Sequence, residues 1–90
     1  MPMGIRNGTR EDRMELAYGE TVKASHARAI AKVVGPQVVG GRYRCGYWGQ
    51  TYTVEDISLH NGWPVLRVRW EDGWVTVHGT AWNYQRDRVL

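Results

Sequence analysis

The chain has 90 residues, with 12 Lys and Arg against 9 Asp and Glu, a formal charge of +3; that is enough chain for one small domain and too little charge, by itself, to specify nucleic acid. A single cysteine, Cys45, excludes an intramolecular disulfide, and no Cys/His spacing matches a structural zinc site, so cohesion must come from packing of five Trp and five Tyr. Residues 1–12 lack the apolar core of a signal peptide and no stretch reaches transmembrane length, so a cytoplasmic protein with no membrane partner and no cofactor is expected.

Residues 1–8 carry Pro and two Gly without periodicity and read as a flexible leader. Thr9 followed by Glu11 and Asp12 reads as a helix start, with Met14, Ala17 and Tyr18 on one side and Gly19 as an interruption. The run TVKASHARAIAKVV, from Thr21 to Val34, is the strongest helical segment, ended by Gly35-Pro36. Its apolar side is Val22, Ala24, Ala27, Ile30, Ala31, Val33 and Val34, and Ser25, Arg28 and Lys32 lie opposite. Two helices about Gly19 raise a helix-turn-helix reading, which the short first helix and the β-rich remainder oppose.

After a Gly-containing linker, Arg42–Cys45 reads as a strand and Gly46-Tyr47-Trp48-Gly49 as a loop. Thr51–Val54 is β-prone, and the apolar phase changes across Glu55-Asp56, which predicts a bulge or bend. Ile57–His78 then reads as a three-stranded meander, because Asn61-Gly62 and Asp72-Gly73 each favour a two-residue hairpin turn. Two such turns would pair Ile57 with Leu66, Leu59 with Pro64, Val68 with Val77 and Trp70 with Val75. One face is then apolar throughout. The other gathers His60, Trp63, Val65, Arg67, Arg69, Trp74, Thr76 and His78, a set too rich in indole and guanidinium for ordinary solvated surface. Beyond His78, Gly79–Trp82 is expected to form a single helical turn, and residues 87–90 an edge strand beside Arg42–Cys45.

Five short strands in about fifty residues, carried by the pattern RVRWEDGWVTVHGTAWNYQRDRV, resemble an SH3-like small barrel over residues 42–90. The chain is also similar to small actinobacterial and phage proteins that bring no activity with them. The resemblance implies a five-stranded antiparallel SH3-like barrel over residues 42–90 and leaves the helical segment read over residues 9–36 unexplained; together they make the expected fold α+β, an N-terminal helix followed by the barrel. Such barrels host many tasks, so function has to be argued from residues.

No residue set makes a catalytic case. Cys45 has no local motif, His60 and His78 lack a third ligand, and Glu55-Asp56 and Glu71-Asp72 are adjacent pairs at turns or bends. A non-catalytic protein-interaction module, binding a protein or a second copy of itself, is expected instead. Its candidate binding residues are Trp63, Arg67, Arg69, Trp74 and His78, with Tyr47, Trp48 and Trp82 as loop anchors. The alternative is DNA or RNA binding, with Arg28, Lys32, Arg42, Arg44, Arg86 and Arg88 on phosphates and indoles on bases. Ten Arg against two Lys suit phosphate forks, although GC-rich codon usage produces the same bias.

Overall fold

Asn61 and Gly62 adopt the positive φ values, 53° and 79°, that a tight hairpin turn demands. The register then follows the alternation, with Ile57 opposite Leu66 and Leu59 opposite Pro64. In the computed structural model, which describes residues 13–79, 82–83 and 85–90, this hairpin joins β4 (Thr51–His60) to β5 (Trp63–Trp70). It is the centre of a five-stranded antiparallel sheet. The other strands are β3 (Arg42–Arg44), β6 (Val75–Gly79) and β7 (Arg88–Val89), in the order β6-β5-β4-β3-β7. The expected edge strand therefore forms beside β3, and the expected bulge interrupts β4 between Val54 and Asp56.

The second hairpin differs by one residue. Trp70 N–H donates to the Trp74 carbonyl and Gly73 N–H to the Trp70 carbonyl, both at 2.8 Å, leaving a three-residue loop, Glu71-Asp72-Gly73. Gly73 alone takes positive φ, 93°, which is the arrangement of a type I turn closed by a glycine bulge. A two-residue turn would need positive φ at Asp72 as well. The extra loop residue pairs Val68 with Thr76 and Leu66 with His78, so every β6 side chain faces opposite to the expected side.

The N-terminal helix expected over residues 9–36 is corrected: its proposed cap, Thr9, lies outside the described residues, and the chain beyond it is a strand. β1 (Arg13–Glu15) pairs with β2 (Thr21–Lys23), Met14 opposite Val22. Gly19, with φ 99°, closes this hairpin, its N–H donating to the Leu16 carbonyl. A two-turn helix is too short to offset its own nucleation cost, and the glycine serves a turn instead. The one helix among the described residues, α1 (Ala24–Val34), begins straight after β2 without a side-chain cap and ends at Gly35 as expected. Gly35 has φ 59° and backs onto Trp82, where an added Cβ would lie 2.7 Å from the indole.

The expected SH3-like closure is also corrected. β6 and β7 are the two edges of an open sheet, and β7, two residues long, offers little ladder for closure. α1 lies on the sheet's core face: Ile30 and Val34 join Tyr43, Tyr52, Val54, Ile57, Leu66 and Val68 in one buried cluster. Two polar contacts fix the helical side. His26 Nε2 meets the Gly62 carbonyl at 2.5 Å, and Glu20 Oε2 accepts the Leu59 N–H at 3.0 Å. The latter occupies a β4 donor beyond the reach of the three-residue β3. The helical turn expected at Gly79–Trp82 falls on Thr80 and Ala81, outside the described residues.

Candidate functional site

Because the second hairpin is one residue longer than expected, the expected binding set divides between two faces. Trp74, Thr76 and His78 share the core face with Val68 and Trp70, while Trp63, Val65, Arg67 and Arg69 remain on the outer face, now joined by Val75 and Val77. α1 leaves part of the core face uncovered, and there the sheet opens into a cleft of about 790 Å³. Trp70, Trp74, Thr76 and His78 form one wall, and Tyr47 and Trp48, from the loop after β3, stand at another. Trp48 and Trp74 are 68% and 71% exposed.

Aromatic rings run from the core to this cleft. Trp82 meets Tyr43 edge-on at 5.7 Å between centroids, Tyr43 lies 5.4 Å from Tyr52, and Tyr52 lies 5.1 Å from Trp70. At the rim Tyr47 packs edge-on against Trp48 at 4.9 Å, and the Arg86 guanidinium sits 5.3 Å over the Tyr47 ring. The Trp70 indole N–H donates to Thr76 Oγ1 at 2.9 Å, which holds its ring in the wall.

The cleft's inner wall is polar. Tyr52 OH donates to Asp87 Oδ2 and accepts from Gln37 Nε2, both at 2.9 Å. Burial first, and then the hydrogen bond to the Asp87 carboxylate and its charge, push the Tyr52 phenol well above its ordinary range. Folding favours the protonated phenol, so its contribution to stability is complete below the unfolded pKa near 10 and is lost as pH rises above it. Tyr52→Phe is expected to cost about 1–2 kcal/mol at pH 7, through the partners it leaves, and to flatten the alkaline fall. Thermal melts of both proteins at pH 7 and in steps above pH 10 measure this. Some alkaline sensitivity persists in the variant, since burial and Glu20 also raise Tyr18. Gln37 is 5% exposed, and its Oε1 has no hydrogen-bond partner among the described residues, which leaves a buried acceptor beside the cleft.

The structure separates the other expected residues. Trp82 is corrected from a surface anchor to a core residue: it is 8% exposed, and its backbone N–H donates to the Val33 carbonyl. Arg28 and Lys32 lie exposed on α1, on the helix's far side from Ala27, Ile30 and Val34. Arg42, Arg44 and Arg88 fall on the outer face of the sheet, and Arg86 on the cleft. Gln37, Tyr52, Trp70 and Asp87 are site residues that sequence reasoning did not single out. For Trp70 the signal was present, since it belonged to the apolar face. Gln37, between α1 and β3, and Asp87, just before β7, meet Tyr52 only in the folded chain and carry no local signal.

Among the described residues no group of three or more His, Cys, Asp and Glu side chains is placed to hold a metal ion, and no helix is long and apolar enough to cross a membrane. Comparison with protein-family models, with curated proteins and with solved structures finds no match to this chain.

Proposed function

We propose that this is a non-catalytic protein-interaction module that takes an extended segment of a partner protein along the free edge of β6, with alternate side chains entering the aromatic cleft. The observation that carries the reading is that one strand supplies both features. Trp70 and Trp74 form a hydrogen-bonded pair, so the alternation of an antiparallel ladder turns the N–H and C=O groups of Val75, Val77 and Gly79 away from β5. Among the described residues nothing pairs with these groups, which make an open ladder. The intervening residues, Thr76 and His78, and the preceding Trp74 line the cleft.

A strand added to an edge gains affinity from main-chain hydrogen bonds and selectivity from pockets that take every second side chain. Natural edge strands are usually blunted by Lys, Pro or an inward charge. β6, Val-Thr-Val-His-Gly, has none of these, and Val77 is 63% exposed. The anchor that suits the cleft is apolar along its length with a hydrogen-bond donor at its tip: the walls are aromatic, and the inner wall offers the Asp87 carboxylate. Tyr, Trp and Arg have that form.

Selection of a displayed random peptide library on the immobilised full chain tests the reading. Enriched peptides are expected to alternate apolar and polar residues around a Tyr, Trp or Arg, and to lose at least about tenfold in affinity, or 1.4 kcal/mol, against Trp74→Ala. Absence of enrichment, or binding indifferent to Trp74→Ala, would contradict it. Concentration-dependent dimerisation in light scattering, abolished by Val77→Pro, would assign the edge to a second copy and overturn the partner reading.

A further inference from the structure

The β3–β4, β3–β7, β4–β5 and β5–β6 registers together place five arginines on the outer face of the sheet. Arg44 stands directly opposite Arg88, and Arg42 and Arg69 both lie opposite Thr53, on its two sides. Arg67 follows two residues before Arg69 on the same strand. Strands lie about 4.8 Å apart and alternate residues about 7 Å apart, so the five guanidiniums share a small area.

Two carboxylates from the β4 bulge enter this face. Glu55 takes Arg69 Nε at 2.6 Å and lies 3.6 Å from Arg67 Nε, and Asp56 is the register partner of Arg67. The guanidiniums of Arg42, Arg44 and Arg88 have no hydrogen bond or ion pair with any described residue. Like charges opposed across an antiparallel pair are destabilising, so the Arg44/Arg88 pair works against the fold unless an anion joins it.

We propose that this face binds the phosphodiester backbone of single-stranded nucleic acid, with Arg42, Arg44 and Arg88 as the phosphate contacts. Three unpaired guanidiniums so close together need closely spaced anions, which a nucleic-acid backbone supplies and a folded protein surface rarely does. The same face holds the half-exposed indole of Trp63 at the far end of β5, opposite His60. That indole is available to stack on an unpaired base, and a duplex presents none. The face lies on the opposite side of the sheet from the cleft, so peptide and nucleic acid do not compete.

Fluorescence anisotropy of labelled oligo-dT and oligo-U with the full chain tests this, the two probes separating DNA from RNA. Binding is expected to weaken steeply between about 50 and 200 mM salt. The triple variant Arg42→Gln/Arg44→Gln/Arg88→Gln should bind at least about tenfold more weakly and show a salt slope smaller in magnitude by about 2. Its melting temperature should be unchanged or higher, because the opposed Arg44/Arg88 charges are gone; a structural role for these arginines would lower it. The pair Arg28→Gln/Lys32→Gln on α1 should leave binding intact. No binding of either probe at 50 mM salt, wild-type affinity in the triple variant, loss through the α1 pair instead, or tighter binding to phosphatidylserine vesicles than to either oligonucleotide would each overturn the proposal. Since the cleft variant Trp74→Ala leaves this face untouched, failure here and failure of the peptide reading are read separately.

Discussion

Trp82→Ala is expected to lower stability by about 3–5 kcal/mol, the usual cost of emptying a large aromatic site, out of the roughly 5–15 kcal/mol that hold a small domain together. The indole packs edge-on against the fully buried Tyr43 and lies under Gly35 where α1 ends, while the residue's backbone N–H, which alanine keeps, donates to the Val33 carbonyl. It therefore connects the helix, the sheet and the segment returning to β7. That segment holds Asn83, Arg86 and Asp87 on the cleft, so loosening it should also cost peptide binding. Chemical denaturation gives the stability change, and the melting temperature should fall by more than about 12 °C. A loss below 1 kcal/mol would show that this indole does not join the two halves. The exposed Trp74 makes the contrast: its truncation should leave stability nearly unchanged.

Val77→Pro is expected to abolish selected-peptide binding while leaving the fold intact. Proline removes a backbone N–H and is tolerated where that N–H faces away from the sheet. Val77 lies opposite Arg67 at a position where the ladder to β5 makes no hydrogen bond, and its side chain is largely in solvent. The substitution therefore takes away a donor of the open ladder and no internal bond. Circular dichroism and the melting temperature should stay close to wild type while peptide affinity falls at least a hundredfold, about 2.8 kcal/mol. Retained affinity in a folded Val77→Pro protein would mean that the partner does not pair with β6.

The sheet was legible in the sequence wherever turn chemistry and side-chain alternation agreed. Asn61-Gly62 has one favoured solution, and the pairing of Ile57 with Leu66 followed from it. The phase change at Glu55-Asp56 marked the bulge, and Gly35-Pro36 marked the end of α1. Asp72-Gly73 is compatible with two loops, one residue apart in length. Alternation favours the shorter one, because Val75 and Val77 read as core and Thr76 and His78 as surface. The protein instead exposes the two valines along an open edge and turns Thr76 toward the Trp70 indole. An edge strand built to pair with something outside the chain has no reason to obey the pattern of a closed core. The N-terminal hairpin was missed because Met14, Ala17 and Tyr18 have helical spacing by coincidence, and three-residue strands carry too little alternation to compete. The five arginines were each candidates from the sequence, but their shared face was not legible, because they come from three strands and only the register assembles them.

Amide hydrogen exchange along β6, read residue by residue by NMR with and without a selected peptide, tests the open ladder most directly. In the free monomer Thr76 and His78, bonded to β5, should exchange slowly, and Val75, Val77 and Gly79 should exchange fast; saturation with peptide should slow those three and leave α1 unchanged. Val77 already protected in the free monomer, or peptide-induced protection that spares β6, would contradict strand addition at this edge.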